Sequence, residues 1–479
     1  MINCYLFIDF GSTYTKVSLI DIGKEEILAT GKSYTTVETD VMKGYGKALD
    51  NLYNKIDYEV NIVKKLACSS AAGGLKIIAI GLVPELTAEA AKRAALGAGA
   101  RVINTYSHNL NMGELEEIIS SDADMILLAG GTDGGNSICI NHNARMLSES
   151  DIDIPVVIAG NKSCNDEIME LFEGKVEYHV TENVMPKLNQ INVFPARETI
   201  RSIFMEQIVN AKGMTHVEEN ISEILMPTPA SVLLAAETLS RGTEDEEGIG
   251  DLAIIDIGGA TTDIHSIGEG APSKPSVMLR GLEEPIAKRT VEGDLGMRYS
   301  SISILEAAGK NMFRKYIDIE EYDLEKELEH RYENTSFLPE TERDIKFDEA
   351  MAKVCGDIAM SRHAGVVESI YSPLGATFVQ TGKDLMELPY IIGTGGIIIN
   401  SSNPKEILEA LLFNIDDPNS LKPRNPKYLV DKKYILSSLG LLATIDKDMA
   451  VRMLKKYIVN LGGNKGECKE WKMVKRSIL

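Results

Sequence analysis

The sequence predicts an α/β protein made of two related halves, with a small doubly wound α/β domain inserted into the first half. Three observations predict it. The chain has 479 residues, too many for one ordinary core, so at least two domains are expected. A short motif near the N-terminus returns roughly half a chain later. Between 76 and 185, apolar strand-like runs alternate with helix-like segments in the βαβαβ order of a parallel sheet.

Residues 8–16 read Ile-Asp-Phe-Gly-Ser-Thr-Tyr-Thr-Lys and residues 255–263 read Ile-Asp-Ile-Gly-Gly-Ala-Thr-Thr-Asp. Ile8 matches Ile255, Asp9 matches Asp256, Gly11 matches Gly258 and Thr15 matches Thr262. Apolar runs flank both copies, so each reads as strand, tight glycine turn, strand: a β-hairpin. The residue types suit phosphate. Gly11, Gly258 and Gly259 let backbone N–H groups approach anionic oxygens with no Cβ in the way. The hydroxyls of Ser12, Thr13, Thr15, Thr261 and Thr262 add donors, and Lys16 adds a cation. Asp9 and Asp256 end their strands and suit Mg²⁺ held through water; one of the two would orient a hydrolytic water as the catalytic carboxylate. A single copy is equally well an ordinary hairpin turn, and it is the duplication that argues for more.

Residues 390–400 add a buried strand followed by a glycine turn, Gly393, Thr394, Gly395 and Gly396. With this third element the sequence resembles the actin, Hsp70 and sugar-kinase superfamily, in which an adenosine-binding glycine pair follows the second phosphate hairpin. The resemblance implies an actin-like ATPase fold of duplicated ribonuclease H-like domains, with ATP and Mg²⁺ in a cleft between the halves and residues 393–396 at the adenosine. Helix-like segments at 229–236 and 437–443 fall where the superfamily places its inter-domain helices, although core packing explains them equally well.

The remaining organisation follows. Residues 1–75 read as the first half of ATPase domain I: the hairpin, a strand near 26–32 and a helix. Residues 76–185 form the insert, with strands at 75–81, 100–104, 125–129 and 156–159 and helices at 88–96, 112–120 and 165–171. Its turn Gly-Gly-Thr-Asp-Gly-Gly at 130–135 fits phosphate or, more simply, a strand-end turn. Residues 186–250 return to domain I and include the acidic run 243–248, a solvated linker. Residues 251–479 form ATPase domain II, helical after about residue 400 and ending in a basic run at 472–476. The charged tract 320–329 reads as an exposed helix face.

Composition excludes several classes. With 50 basic and 71 acidic residues the formal charge is −21, the wrong sign for a nucleic-acid surface. No run nears the roughly twenty apolar residues that span a bilayer. The opening residues lack a secretory leader pattern, and the six cysteines have no paired spacing, so a reduced, cytoplasmic protein is expected.

Three longer strings narrow the choice: Arg-Thr-Val-Glu-Gly-Asp-Leu-Gly-Met-Arg at 289–298, Arg-His-Ala-Gly at 362–365 and Gln-Thr-Gly-Lys-Asp-Leu at 380–385. Together with 130–135 and the hairpins they resemble the glutamate mutase accessory family, also called MutL and unrelated to the mismatch-repair protein of that name. The resemblance covers nearly the whole chain. It implies a slow ATPase acting as a reactivating chaperone, which releases damaged cobalamin from an adenosylcobalamin-dependent mutase such as glutamate mutase or ornithine aminomutase. Its partners would be the mutase subunits and ATP or ADP, with homodimerisation left open. Taken by themselves, His363 reads as structural, and Glu292, Asp294 and Arg298 as a local salt-bridged turn. Gly382 and Lys383 are placed at the nucleotide. Two rivals on the same fold remain: a small-molecule kinase, and an ATP-driven activator of acyl-CoA dehydratases whose iron–sulfur cluster Cys139 and Cys164 would help to hold.

Overall fold

The computed structural model describes residues 1–11, 13–35, 41–70, 75–210, 223–372 and 375–462. Two compact units divide the chain: Met1–Ser231 with Gly281–Glu283, and Val232–Arg280 with Glu284–Leu479.

The first unit opens with β1 (Ile2–Phe10), β2 (Tyr14–Asp21), β3 (Glu26–Tyr34), α1 (Val41–Tyr53) and β4 (Val60–Ser69). The insert follows as β5 (Lys76–Gly81), α2 (Glu89–Gly97), β6 (Arg101–Ser107), α3 (Met112–Ser120), β7 (Met125–Leu128), α4 (Ile138–Ser148), β8 (Val156–Ile158), α5 (Asn165–Phe172) and β9 (Tyr178–Val180). Then come α6 (Phe194–Asn210), β10 (Glu223–Pro227) and α7 (Thr228–Arg241). The first sheet is ordered β10-β4-β1-β2-β3; β1, β2 and β3 are antiparallel neighbours, and β4 and β10 run parallel to β1. The insert's sheet is all parallel in the order β6-β5-β7-β8-β9, a doubly wound arrangement.

One core cluster joins the two sheets. It runs from Leu6, Ile8 and Ala67 to Ile77, Ala79 and Leu127. The alanines of α2 make the close fit: Ala90, Ala91, Ala94 and Ala95 are all fully buried. Gly99, at φ +96°, brings the chain so near β10 that a Cβ there would lie 2.8 Å from Pro227. Residues 281–283 belong to this unit because Leu282 is buried in its core and Arg93 donates to the Glu283 carbonyl.

The second unit begins with β11 (Leu252–Ile257), β12 (Thr262–Ile267), β13 (Val277–Arg280) and β14 (Ala287–Glu292). It continues through α8 (Ser301–Arg314), α9 (Leu324–Glu333), α10 (Glu342–His363), β15 (Val366–Ser372), β16 (Gly375–Thr381) and β17 (Tyr390–Thr394). After these come α11 (Gly396–Asn400), α12 (Pro404–Glu409), β18 (Lys427–Val430), α13 (Leu436–Leu442), α14 (Lys447–Tyr457) and β19 (Val459–Asn460). Its main sheet is ordered β14-β12-β11-β17-β18-β19, and β13, β16 and β15 form a separate three-stranded sheet. Numbered in chain order, the first sheet runs third-second-first-fourth-fifth, and the second unit's main sheet repeats that order and those directions before β19 adds a sixth, antiparallel strand. The register repeats too: Asp9 faces Lys16 and Asp256 faces Asp263 across the hairpins. A ribonuclease H-like order present twice in one chain is the actin-like ATPase fold class.

Several expectations need correction. The chain after 400 is not simply helical, because β18 and β19 complete the sheet; a four-residue strand gives too short an apolar run to be told from helix. The strands β4, β9, β10, β13, β14, β15 and β16 were not among those expected from the sequence. Residues 243–248 are not a free linker: Thr243 N–H donates to the Glu246 carbonyl, the Thr243 hydroxyl to Asp448, and Arg452 of α14 pairs with Glu246 at 3.0 Å. The basic run 472–476 lies outside the described residues.

A buried ionic knot anchors α9 and α10. Asp348, 1 % exposed, accepts Arg331 Nε at 2.6 Å and Arg298 Nη2 at 2.8 Å, and the Arg331 guanidinium lies over the Phe347 ring. Among the described residues, removing the one carboxylate leaves Arg331 only Glu327 as an ion partner and Arg298 only the carbonyls of Met297 and Phe337 as acceptors. Asp348→Ala is therefore expected to destabilise the second unit by about 3–5 kcal/mol, read as a lowered calorimetric transition; an unchanged transition would show that the knot carries no net stability.

Candidate functional site

Each glycine turn is shaped by residues outside it. In the first unit Asp9 is buried near the end of β1, with Cys68 of β4 as its neighbour in register. Asp9 Oδ1 accepts the Thr228 hydroxyl at 2.7 Å and the Cys68 thiol at 3.7 Å, while Lys16 Nζ lies 3.4 Å from Oδ2. Burial, and then the charge of Asp9, push the Cys68 thiol well above its ordinary range and keep it a donor. The turn closes through the Gly11 N–H and the Tyr14 carbonyl at 3.1 Å; a Cβ on Gly11 would sit 2.6 Å from that oxygen. Thr35, just past β3, braces it by donating its N–H to the Thr13 carbonyl at 3.0 Å and its hydroxyl to the Gly11 carbonyl at 2.7 Å. Ser12 lies outside the described residues.

The second turn closes alike, Gly258 N–H to the Thr261 carbonyl at 2.9 Å. Here the brace is the segment after β14. Met297 N–H donates to the Gly258 carbonyl, Arg298 and Tyr299 N–H groups to Gly259, and the Ser300 hydroxyl to Ala260 at 2.8 Å. Gly296 packs so tightly that a Cβ there would lie 2.4 Å from the Ala260 carbonyl. Among the described residues the N–H groups of Gly259 and Ala260 have no protein acceptor, which leaves two adjacent donors for an anion. Thr15 and Thr262, expected at phosphate, are fully buried in the structure and brace the turns: Thr15 lies 3.1 Å from the Thr35 hydroxyl, and Thr262 donates to the Leu295 carbonyl at 2.6 Å. Thr261 donates to Asp263, which is paired with Arg289 at 2.6 Å.

The third element joins the second turn. β17 runs parallel to β11 with Thr394 opposite Asp256, so the turn at 393–396 leaves the sheet beside the Gly258 turn. Gly395 has φ +93°, and a Cβ there would lie 2.4 Å from the Ile257 carbonyl and 2.8 Å from Asp256 Oδ1, so the turn packs on the end of β11 more closely than any residue but glycine allows. The Thr394 hydroxyl lies 3.5 Å from Asp431, a fully buried carboxylate that also accepts the Ile435 and Leu436 N–H groups at the head of α13. The first unit thus gathers Asp9, Gly11, Thr13, Thr15 and Lys16; the second gathers Asp256, Gly258, Gly259, Thr261, Thr262 and Gly393–Gly396. Thr35, Thr228 and the 296–300 brace were missed. Two of these carry a sequence signal: Thr228 in its place between Pro227 and Pro229 at a strand end, and residues 296–298 as the end of the 289–298 string, whose bracing role that string did not reveal.

The three longer strings turn out to be scaffolding. Arg362 reaches Glu292 at 2.7 Å and Asp294 at 2.8 Å, and Arg298 reaches Asp348, so the 289–298 charges tie the turn to α10 and are not confined to a local bridge. His363 is fully buried, with Thr290 and Ser266 hydroxyls each 2.8 Å from a ring nitrogen. Lys383 does not line a ligand site: it is fully buried and donates to the carbonyls of Ser266, Pro285 and Ile286. Burial and the nearby Lys288 charge press its ammonium down to about 7. In the insert, Asn161 and Asn183 hold the 130–135 turn through its backbone, which accords with a strand-end turn. Cys139 and Cys164 are 4 % and 1 % exposed with raised thiols, poorly placed for a cluster between subunits.

A family model described as MutL protein matches residues 5–458. The chain belongs to the MutL family. Protein MutL of Clostridium tetanomorphum is 59 % identical over 461 residues, 96 % of this chain and 100 % of that relative. Among solved structures, nucleotide-free acetone carboxylase is similar over 92 % of this chain and 70 % of its own, at 12 % identity and a TM-score of 0.38. The activator of 2-hydroxyisocaproyl-CoA dehydratase from Clostridium difficile, with bound ADPNP, is similar over 95 % and 97 %, at 11 % identity and a TM-score of 0.30. Such distant likenesses leave the fold of this MutL-family chain resting on its two strand orders. Among the described residues no helix is long and apolar enough to cross a membrane.

One acid-sensitive element lies next to the second hairpin. His265 of β12 is 1 % exposed; burial first, and the Arg289 charge second, lower its pKa to about 3, with Asp263 opposing. His363 is lowered in the same direction. The folded protein therefore refuses protons that the unfolded chain takes up below the ordinary histidine pKa near 6.5. Stability should fall as pH drops from about 6.5 toward 3, by up to about 1.4 kcal/mol per pH unit for each such group. Denaturant midpoints across that range should slope less steeply in His265→Gln, and identical slopes would exclude the residue.

Proposed function

We propose that the protein is an ATP-dependent reactivating chaperone for an adenosylcobalamin-dependent mutase of the glutamate mutase or ornithine aminomutase type. The observation that carries the reading is the repeated arrangement of a strand-end aspartate beside a braced glycine turn, Asp9 with Gly11 and Asp256 with Gly258, in a MutL-family chain. Each unit offers groups that suit ATP: in the second the Gly259 and Ala260 N–H groups suit phosphate oxygens and the glycine turn at 393–396 the adenosine side, and in the first Lys16 suits phosphate charge. Asp9 and Asp256 would hold Mg²⁺ through water, and the ion, when bound, neutralises phosphate charge. One of the two carboxylates orients the attacking water, giving slow hydrolysis. The work on the partner is a matter of differential affinity. A mutase holding damaged cobalamin rarely populates an open state, and a chaperone favours that state only by binding it better. Hydrolysis then releases the grip so the mutase can close on intact cofactor. We place this cycle in the cytoplasm, with the insert docking on the mutase.

Asp9→Ala and Asp256→Ala should each abolish Mg-ATP hydrolysis while leaving the fold intact by circular dichroism; parent rates in both would remove these carboxylates from the site. A mutase inactivated by turnover or hydroxocobalamin should recover only with this protein, hydrolysable ATP, Mg²⁺ and fresh adenosylcobalamin together. ATP hydrolysis without recovery of any cognate mutase would sink the chaperone reading. The insert shares its core with the first sheet, so excising it would confound the docking test. Hydrogen exchange is the cleaner measure: mutase binding should protect amides within 76–185, and protection confined elsewhere would refute that docking.

A further inference from the structure

We infer that Thr228 is a positioning residue for Asp9, fixing which carboxylate oxygen faces the nucleotide chemistry. The inference rests on the ATPase reading above and adds to it a residue outside both hairpins.

A carboxylate on a short side chain turns readily about its last bond, because that torsion is broad. Its two oxygens are then interchangeable unless something distinguishes them. In the first unit they are distinguished. Two neighbouring strands and the helix that follows a third bring three groups together: Asp9 of β1 lies in register with Cys68 of β4, Cys68 with Met226 of β10, and Thr228 opens α7 two residues later. The Thr228 hydroxyl donates to Asp9 Oδ1 at 2.7 Å and lies 3.6 Å from Cys68 Sγ, while the Cys68 thiol donates to the same Oδ1 at 3.7 Å. Both neutral donors converge on Oδ1. The cation Lys16 lies on the other oxygen, 3.4 Å from Oδ2. Charge-assisted bonds of this kind are the strong ones, and the one from Thr228 is shorter by far than the contact from Cys68.

The backbone that carries the hydroxyl is stiff. Thr228 follows Pro227 and precedes Pro229; proline fixes its own φ and restricts the residue before it. It is also the first residue of α7, anchored by the buried Ala230 and Ser231 that follow. With Oδ1 held by Thr228 and Cys68, Oδ2 is the oxygen on the Lys16 side, and it is the one this role assigns to water or a hydrated cation. Losing the hydroxyl frees the carboxylate to turn, so the defect belongs to turnover and not to nucleotide affinity.

The experiment is steady-state ATP hydrolysis by the full chain carrying Thr228→Val, Thr228→Ser or Thr228→Ala, with melting temperature recorded for each. Thr228→Val keeps the shape and removes the donor, and should lower kcat about tenfold or more with KM for ATP within about twofold. Thr228→Ser keeps the donor and should stay within about threefold of the parent. The Ser and Ala pair repeats the comparison without the methyl group, so the idea remains decidable if Thr228→Val folds poorly. Parent kcat in Thr228→Val, or equal losses in Ser and Ala, would overturn the role. A parent protein with no Mg-ATP turnover would remove the proposed function and this role with it. Turnover lost in Asp9→Ala but kept in Thr228→Val and Thr228→Ala would remove this role alone.

Discussion

A glycine turn has no side chains with which to hold its own shape, so its surroundings must hold it. That constraint organises both units. In each, the chain leaving the third strand of the sheet comes back over the turn and supplies the missing bonds: Thr35 after β3, residues 296–300 after β14. The matching threonines, Thr15 and Thr262, face inward in both copies and complete the brace. A pre-shaped turn is what an anion site requires, since its donors then need no reordering when charge arrives.

The second unit extends the brace through ions. Arg298 carries its backbone N–H to Gly259 and its side chain to Asp348, which links the turn to α10 and, through Arg331, to α9. Arg362 does likewise for the adjoining loop through Glu292 and Asp294. The buried pairs at Asp348 add little net stability compared with apolar packing, yet each is costly to break singly. They specify one arrangement of loops and helices where shape alone would allow several.

How much of this was legible depends on distance along the chain. The hairpins, the glycine turn at 393–396 and the alternating insert are local patterns, and their elements appear close to where periodicity puts them: α3 spans 112–120 as read. The bracing was illegible because it joins residues far apart in sequence, and even where one of them stood in a recognised string, as Arg298 does, the string did not name its partner. Gly11 with Thr35, Gly259 with Arg298 and Asp9 with Thr228 become neighbours only after the sheets form. The strings at 362–365 and 380–385 marked the family but misled about role. Their glycines let two backbones touch, a Cβ on Gly365 falling 2.7 Å from Gly382, while His363 is held by interior hydroxyls, Lys383 by interior carbonyls and Arg362 by the Glu292 and Asp294 carboxylates.

The insert sits between β4 and β10, two strands that must pair side by side to finish the first sheet. About 150 residues of chain separate the partners, a long loop whose closure is entropically unfavourable for a flexible chain. A compact insert removes most of that cost by bringing its own ends together before β10 arrives. During synthesis the insert would thus condense onto β1 and β4 first, and the strand that delivers Thr228 to Asp9 would be the last to dock. The carboxylate would then acquire its final geometry only when the first unit is complete, making assembly of the site a late event in folding.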